Sequence, residues 1–221
     1  MTSFNLLDFA RGPALEAAIV VFVFGVFWRL ARLWFLPHFF KPSRARPGAA
    51  IMAGSVNEFF RRMWPNKVFF GRTMFTFING WVFHLGLALI VFGLGAHIMV
   101  FKRLFNVSWP NLPSNLVFLG AVITLASLLA ALVHRLFNPV LRVISTWDDY
   151  FTWLVTATPV VTGLMATMHM VQPYETMLAI HILSVDVLLI WFPFGKLMHA
   201  FLVFITRGEM GAQLARRGVK L

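Results

Sequence analysis

Cysteine is absent from this 221-residue chain. That excludes disulfides, thiolate zinc sites and iron–sulfur clusters held by the chain's own side chains. Charge is scarce as well. Asp, Glu, Lys and Arg make up 12% of the residues, against roughly 25% in a soluble domain. Acid is the scarcer sign, with eight Asp and Glu against 19 Lys and Arg and a formal net charge of +11. There is no zinc-finger, RNA-binding or helix-turn-helix pattern, so nucleic acid is not expected as a partner. No internal repeat is visible. The opening MTSFNLLDFARGPALEAA has no basic stretch ahead of its apolar run, so no cleaved signal peptide is expected.

What fills the chain is apolar. Hydrophobic residues are 59% and mean hydropathy is +0.78. This is membrane composition. We expect an all-α fold: a single integral-membrane domain over residues 1–221, built as a bundle of five transmembrane helices. A span needs about 20 apolar residues. Five candidates run at about residues 14–36, 75–101, 115–133, 150–170 and 176–204, the last containing Pro193.

Basic residues set the expected direction. Arg29, Arg32, Lys41, Arg44, Arg46, Arg61, Arg62, Lys67 and Arg72 follow or close span one. Arg135 and Arg142 follow span three. Lys196, Arg207, Arg216, Arg217 and Lys220 close the chain. Only Arg11, Lys102 and Arg103 fall on the other side. The positive-inside rule then predicts an outside N-terminus and a cytoplasmic C-terminus. The cytoplasmic loop 37–74 contains the amphipathic run VNEFFRRMWPNKVFF. It suits a helix lying on the membrane surface and equally a docking surface for a soluble partner.

Four histidines stand inside the greasiest stretches. Residues 83–97 read FHLGLALIVFGLGAH, and residues 180–199 read IHILSVDVLLIWFPFGKLMH. Because spans two and five run oppositely, the four fall at two matching depths: His84 with His199 on the inner side, His97 with His181 on the outer. Two such imidazole pairs can clamp two stacked haems in a helix bundle. On an unbroken span five, eighteen residues are five full turns, placing His181 and His199 on one face about 27 Å apart. On span two, thirteen residues turn His84 and His97 about 140° apart. Gly86, Gly93 and Gly95 there could admit a bend, a π-bulge or close approach of a flat macrocycle. A lone intramembrane histidine is more simply a hydrogen-bonding residue between helices. That simpler reading is kept for His38, His134 and His169, with His169 a reserve ligand for the outer haem. Zinc fits less well, since its ligands converge on one point.

Asp186, five residues past His181, is an ionisable group at membrane depth and a candidate proton acceptor. The plainer alternative pairs it with Ser184 or a neighbouring helix. Arg72, Arg135, Arg142 and Lys196 are placed to meet inner-haem propionates, and Lys102 and Arg103 outer ones; ordinary boundary charge explains them too. Trp81, Trp109, Trp147, Trp153 and Trp191 suit an aromatic belt. Asp148 and Asp149 read as a helix start, where acids are favoured, and could also hold a basic partner surface.

The motifs HLG at His84–Gly86, GAH ending at His97, HRLFNPVLR at His134–Arg142 and PFGKLMH at Pro193–His199 resemble the gamma subunit of respiratory nitrate reductase. The resemblance covers spans two to five. It implies a five-span dihaem b-type cytochrome of the bacterial cytoplasmic (inner) membrane. Such a subunit works in a hetero-oligomeric respiratory complex, exchanging electrons between the quinone/quinol pool and a cytoplasmic iron–sulfur subunit. It implies two haem b groups, with His84 and His199 on the inner haem iron and His97 and His181 on the outer, and quinol handled near the outer haem. The histidines of span two stand three residues further apart than in the nitrate form, and the loop KRLFNVSWPNLPSN lacks its quinol-site lysine. GPALEAAIVVFVFGVFWRL and the acid in span five are more similar to the cytochromes of sulfur-metabolism (Dsr-type) membrane complexes. A nitrate reductase anchor is the alternative within the redox class. A non-redox membrane scaffold or transporter is the alternative outside it, although the inverted repeat of many transporters is not seen.

Overall fold

The computed structural model describes residues 5–35 and 44–219. His38, Lys41 and Lys220 lie outside the described residues. All regular structure among those described is helical.

Helix α1 (Leu6–Phe9) begins where the Asn5 side chain accepts from the Leu7 amide. A π-helical turn, Ala10–Ala14, contains Pro13. Proline has no amide to give the α ladder, and the chain widens there before continuing as α2 (Leu15–Phe35). Together they form one rod, Leu6–Phe35, so span one starts earlier than its apolar run suggests. Helix α3 (Ile51–Arg61) follows, then a 3-10 turn, Lys67–Phe69, leading into α4 (Phe70–Gly93).

Span two is not one helix. Leu94 is extended, with φ −77° and ψ 126°, and α5 (Gly95–Phe105) restarts after it. The last two carbonyls of α4 are nevertheless satisfied, as backbone at membrane depth requires. The Gly93 carbonyl accepts from Leu112 N at 3.0 Å, and the Phe92 carbonyl from the Trp109 indole at 2.6 Å.

Helices α6 (Ser114–Phe137), α7 (Pro139–Ile144) and α8 (Trp147–Thr167) come next. Asp149 starts α8 as its position suggests, accepting from Thr146 N at 2.9 Å. Helix α9 (Tyr174–Trp191) ends before Pro193, a 3-10 turn covers Lys196–Met198, and α10 (His199–Arg216) closes the chain. The single-face geometry expected for span five therefore fails. Pro193 supplies no amide and disfavours α geometry before it, so His181 and His199 sit on separate helices.

Among the described residues four helices are long and apolar enough to cross a membrane: Leu6–Phe35, Lys67–Gly93, Ser114–Phe137 and Tyr174–Trp191. The chain reads as a multi-pass membrane protein. Helix α8 is 21 residues long but richer in threonine and acid, and does not join the four.

The chain divides into two compact units. One comprises Met1–Val21 and Phe75–Trp191, the other Phe22–Met74 and Phe192–Leu221. In the first, α8 lies between α6 and α9, and α1 with the π-turn packs on α9. Leu128, Ala157 and Val160 form its core, covered by Phe83, Leu125, Trp153 and Leu164. Helix α4 meets α6 along one stripe stepped by seven. Asn79 donates to the Ser127 carbonyl at 3.1 Å, a Cβ on Gly86 would overlap the Thr124 hydroxyl, and one on Gly93 would stand 3.4 Å from Val117. Gly86 thus serves helix contact.

The second unit rests on α3 against α10. A Cβ at Gly54 would stand 2.5 Å from that of Ala215, and one at Gly211 would overlap the Gly54 carbonyl. Beside this contact Glu58, 0% exposed, binds Arg61 at 2.7 Å and also Arg62. Those guanidiniums outweigh burial and hold its carboxyl below the ordinary value of 4.5. Pro193 packs on Gly25, and Phe22 meets Phe192 edge-on at 5.1 Å.

Candidate haem-ligand site

His97 is carried into place by the break at Leu94. It is the third residue of α5, and its Nδ1 lies 2.9 Å from the Ile90 carbonyl in the last turn of α4. A carbonyl can only accept, so Nδ1 carries a proton, and in the neutral imidazole the lone pair is then on Nε2. The seven-residue reach back to Ile90 exists because the helix stops between them. The 140° turn between His84 and His97 belongs to an unbroken helix, and this is not one.

His181 comes from α9. Its Nδ1 stands 3.1 Å from the Thr162 hydroxyl of α8. That hydroxyl lies 2.8 Å from the Thr158 carbonyl, and donating there leaves its oxygen to accept from the ring. The next residue of α8 is Gly163, where a Cβ would come within 3.1 Å of the ring's Cε1. The ring therefore lies over a gap that only glycine leaves open. Thr162 and Gly163 were not singled out in the sequence; the dipeptide was the only signal.

The two rings meet. The centroids of His97 and His181 are 6.3 Å apart and their planes are 23° apart. Two imidazoles sharing one metal ion through Nε2, at about 2.0–2.1 Å each, put their centroids about 6–6.5 Å apart. Both rings are half-buried with Nδ1 engaged, the arrangement that fixes tautomer and orientation in a ligating histidine. A haem asks for two such ligands, and His97 and His181 are the residues here that would hold one.

The other pair is divided between the units. His84, in the first, has Nδ1 2.6 Å from the Gly80 carbonyl. His199, in the second, has Nδ1 2.8 Å from the Lys196 carbonyl. Both rings lie on exposed residues, and the same tautomer argument assigns the lone pair to Nε2 in each. Among the described residues no three His, Asp or Glu side chains converge as a polydentate metal site needs; a haem asks for two.

His169 does not join the outer pair. It lies past the end of α8 at φ 53° and stacks on Tyr174 at 4.9 Å. His134 meets Phe75 at a 44° tilt, centroids 4.5 Å apart, and lines an open groove with Val133, Phe137 and Pro139. Of the expected propionate partners, Arg135 is engaged by its own fold: it donates to Ser145 at 2.8 Å and pairs with Asp149 at 3.1 Å, tying α6 to α8. Arg72, Arg142 and Lys196 are exposed, as are Lys102 and Arg103 in the last turn of α5. Trp153 and Trp191 are engaged within the bundle, on the Leu128 carbonyl at 2.8 Å and the Thr152 hydroxyl at 3.0 Å.

Asp186 is 4% exposed, and neither carboxyl oxygen has a hydrogen-bond partner among the described residues. Ser184, its expected partner, is turned to the Thr162 hydroxyl and the His181 carbonyl. Asp186 lies about 140° round α9 from His181. It therefore lies off the side of α9 that His181 turns to Thr162 of α8.

The chain is 30% identical over 223 residues to a protein of Nitratidesulfovibrio vulgaris (strain Hildenborough), covering 95% of this chain and 94% of that one. The chain belongs to the same family as that protein, whose name states no activity. No protein-family model matches the chain, and no solved structure matches it.

Proposed function

We propose that the chain is a dihaem b-type cytochrome subunit of the bacterial cytoplasmic membrane. It relays electrons between the quinone pool and a cytoplasmic iron–sulfur subunit of a respiratory complex, of the sulfur-metabolism type rather than the nitrate reductase type. The observation that supports this is the meeting of His97 and His181, which would hold one haem between them. The resemblance of the HLG and PFGKLMH motifs assigns a second haem, which His84 and His199 would hold.

Bound haem supplies one-electron chemistry that no side chain here offers. The chain's own part is to aim four Nε2 atoms, to keep water from the outer pair and to carry a proton. Asp186, buried with no donor among the described residues, takes up a proton when quinol is oxidised and returns one when quinone is reduced. Clusters come from the partner, since the chain has no cysteine.

Helix α8 completes a five-span bundle with the N-terminus outside and the C-terminus in the cytoplasm. Its hydroxyls support this. Thr156, Thr158, Thr162 and Thr167 each bond the carbonyl four residues back, so none needs water.

The test is a reduced-minus-oxidised visible spectrum of the purified chain, with haem counted per polypeptide. Two b-type haems are expected. A colourless protein that takes up no haem on reconstitution would overturn the reading and favour a membrane scaffold or transporter.

A further inference from the structure

Helix α3 uses only part of its circumference on α10. Gly54 and Glu58 face the contact, and Phe59 stacks on Phe204 at 5.3 Å under the Arg207 guanidinium. Met52, Val56 and Phe60, spaced by four, fall on another side of the helix. They are 78%, 52% and 61% exposed, and Trp64 just beyond is 61% exposed. The stripe is bordered by cations. Arg61 and Arg62 flank it and share one carboxylate, Glu58, leaving one uncompensated positive charge at the helix end. Lys67 follows, also exposed.

Chain connectivity says what covers this face. The apolar helix Lys67–Gly93 begins six residues after Arg61. Six extended residues span at most about 20 Å, so α3 is tethered at the mouth of a membrane-crossing helix. An apolar stripe, a tryptophan at its end and a basic border are what the boundary between headgroups and acyl chains takes up. We propose that the outer face of α3 lies in the membrane surface, with Met52, Val56, Phe60 and Trp64 in the acyl boundary and Arg61, Arg62 and Lys67 on anionic headgroups. The bilayer is then the occupant of this face, and the iron–sulfur partner must dock elsewhere. The proposal does not depend on haem.

Because the chain has no cysteine, a single one can be placed anywhere for labelling. Met52→Cys, Val56→Cys, Asn57→Cys, Phe60→Cys and Arg61→Cys would each carry a nitroxide in the full chain. Each would be reconstituted in vesicles of phosphatidylcholine with and without phosphatidylglycerol. The oxygen-to-nickel accessibility ratio should be several-fold higher at 52, 56 and 60 than at 57 and 61, and should rise with the anionic lipid. In parallel, brominated lipid should quench less total fluorescence in Trp64→Phe than in the parent. Equal, water-like ratios at all five positions would overturn the proposal. So would immobilised labels with spin–spin broadening at 52, 56 and 60, which would give the face to a second copy of the chain.

Discussion

The imidazoles of His97 and His181 face each other at 6.3 Å, although 84 positions of sequence separate them. Each is held by its own Nδ1, His97 on the end of one helix and His181 on the wall of a neighbour. Neither ring is placed by the other. The expected result of His97→Ala is therefore the same as that of His181→Ala: haem per chain falls by about half, with the remaining spectrum alike in both. Unequal losses in the pyridine haemochrome assay would show that the two do not share one iron.

Thr162 and Gly163 form the wall behind His181. Thr162→Val removes the Nδ1 partner, and Gly163→Ala puts a methyl 3.1 Å from Cε1. Partners of this kind are worth about 10–100-fold in affinity at a metal site. Each variant should weaken one haem site by about tenfold and leave the other unchanged, read by haem titration of the apoprotein. Loss of both haems together would place the two residues in the general packing instead.

Asp186 makes an unusual stability prediction. A buried polar group without a partner costs about 1–3 kcal/mol. Asp186→Leu fills a similar space, needs no donor and should be at least as stable as the parent in thermal unfolding. Quinol-linked haem reduction should fall in the same variant. If stability falls instead, the carboxyl has a partner.

Glu58 gives a pH dependence of determinate sign. Its folded carboxyl is held below 4.5 by Arg61 and Arg62. The associated stability is present above that value and is lost as pH falls through the lower, folded value. Glu58→Gln should remove this acid-limb loss. It should cost about 1 kcal/mol at neutral pH, a modest amount because both guanidiniums are more than a third exposed and regain water. Circular dichroism melts between pH 3 and neutrality, parent against variant, measure both effects.

The histidines and their outer pairing were legible because apolar runs make any imaginable donor conspicuous. The helix class was legible for the same reason. The breaks were harder. The periodicity of FHLGLALIVFGLGAH does not show which residue leaves the helix, since Gly93 and Gly95 are equal suspects and Leu94 is a good helix former. Backbone partners decide it: Trp109 and Leu112, from the following loop, take the carbonyls that the break exposes. Span five shows the opposite failing. Pro193 is visible in the sequence, yet the eighteen-residue spacing of His181 and His199 reads as five full turns of one helix. Gly86 reads in the sequence as room for a bend, a π-bulge or a flat macrocycle, whereas its contact with Thr124 depends on how α4 and α6 register, which composition does not encode.

The extended residue at Leu94 makes the two ring levels mechanically separate parts. His84 moves with α4, whose register is keyed into α6 at Asn79, Gly86 and Gly93. His97 moves with α5, which is tied back by the His97 hydrogen bond, by the stacking of Phe101 on Phe92 and by a short loop. A distortion at the outer level is absorbed at a single joint instead of being conducted down the rod. The outer ring can thus be re-aimed by changes in the loop at Trp109–Leu112 while the inner ring keeps its position, and each level can be tuned without retuning the other.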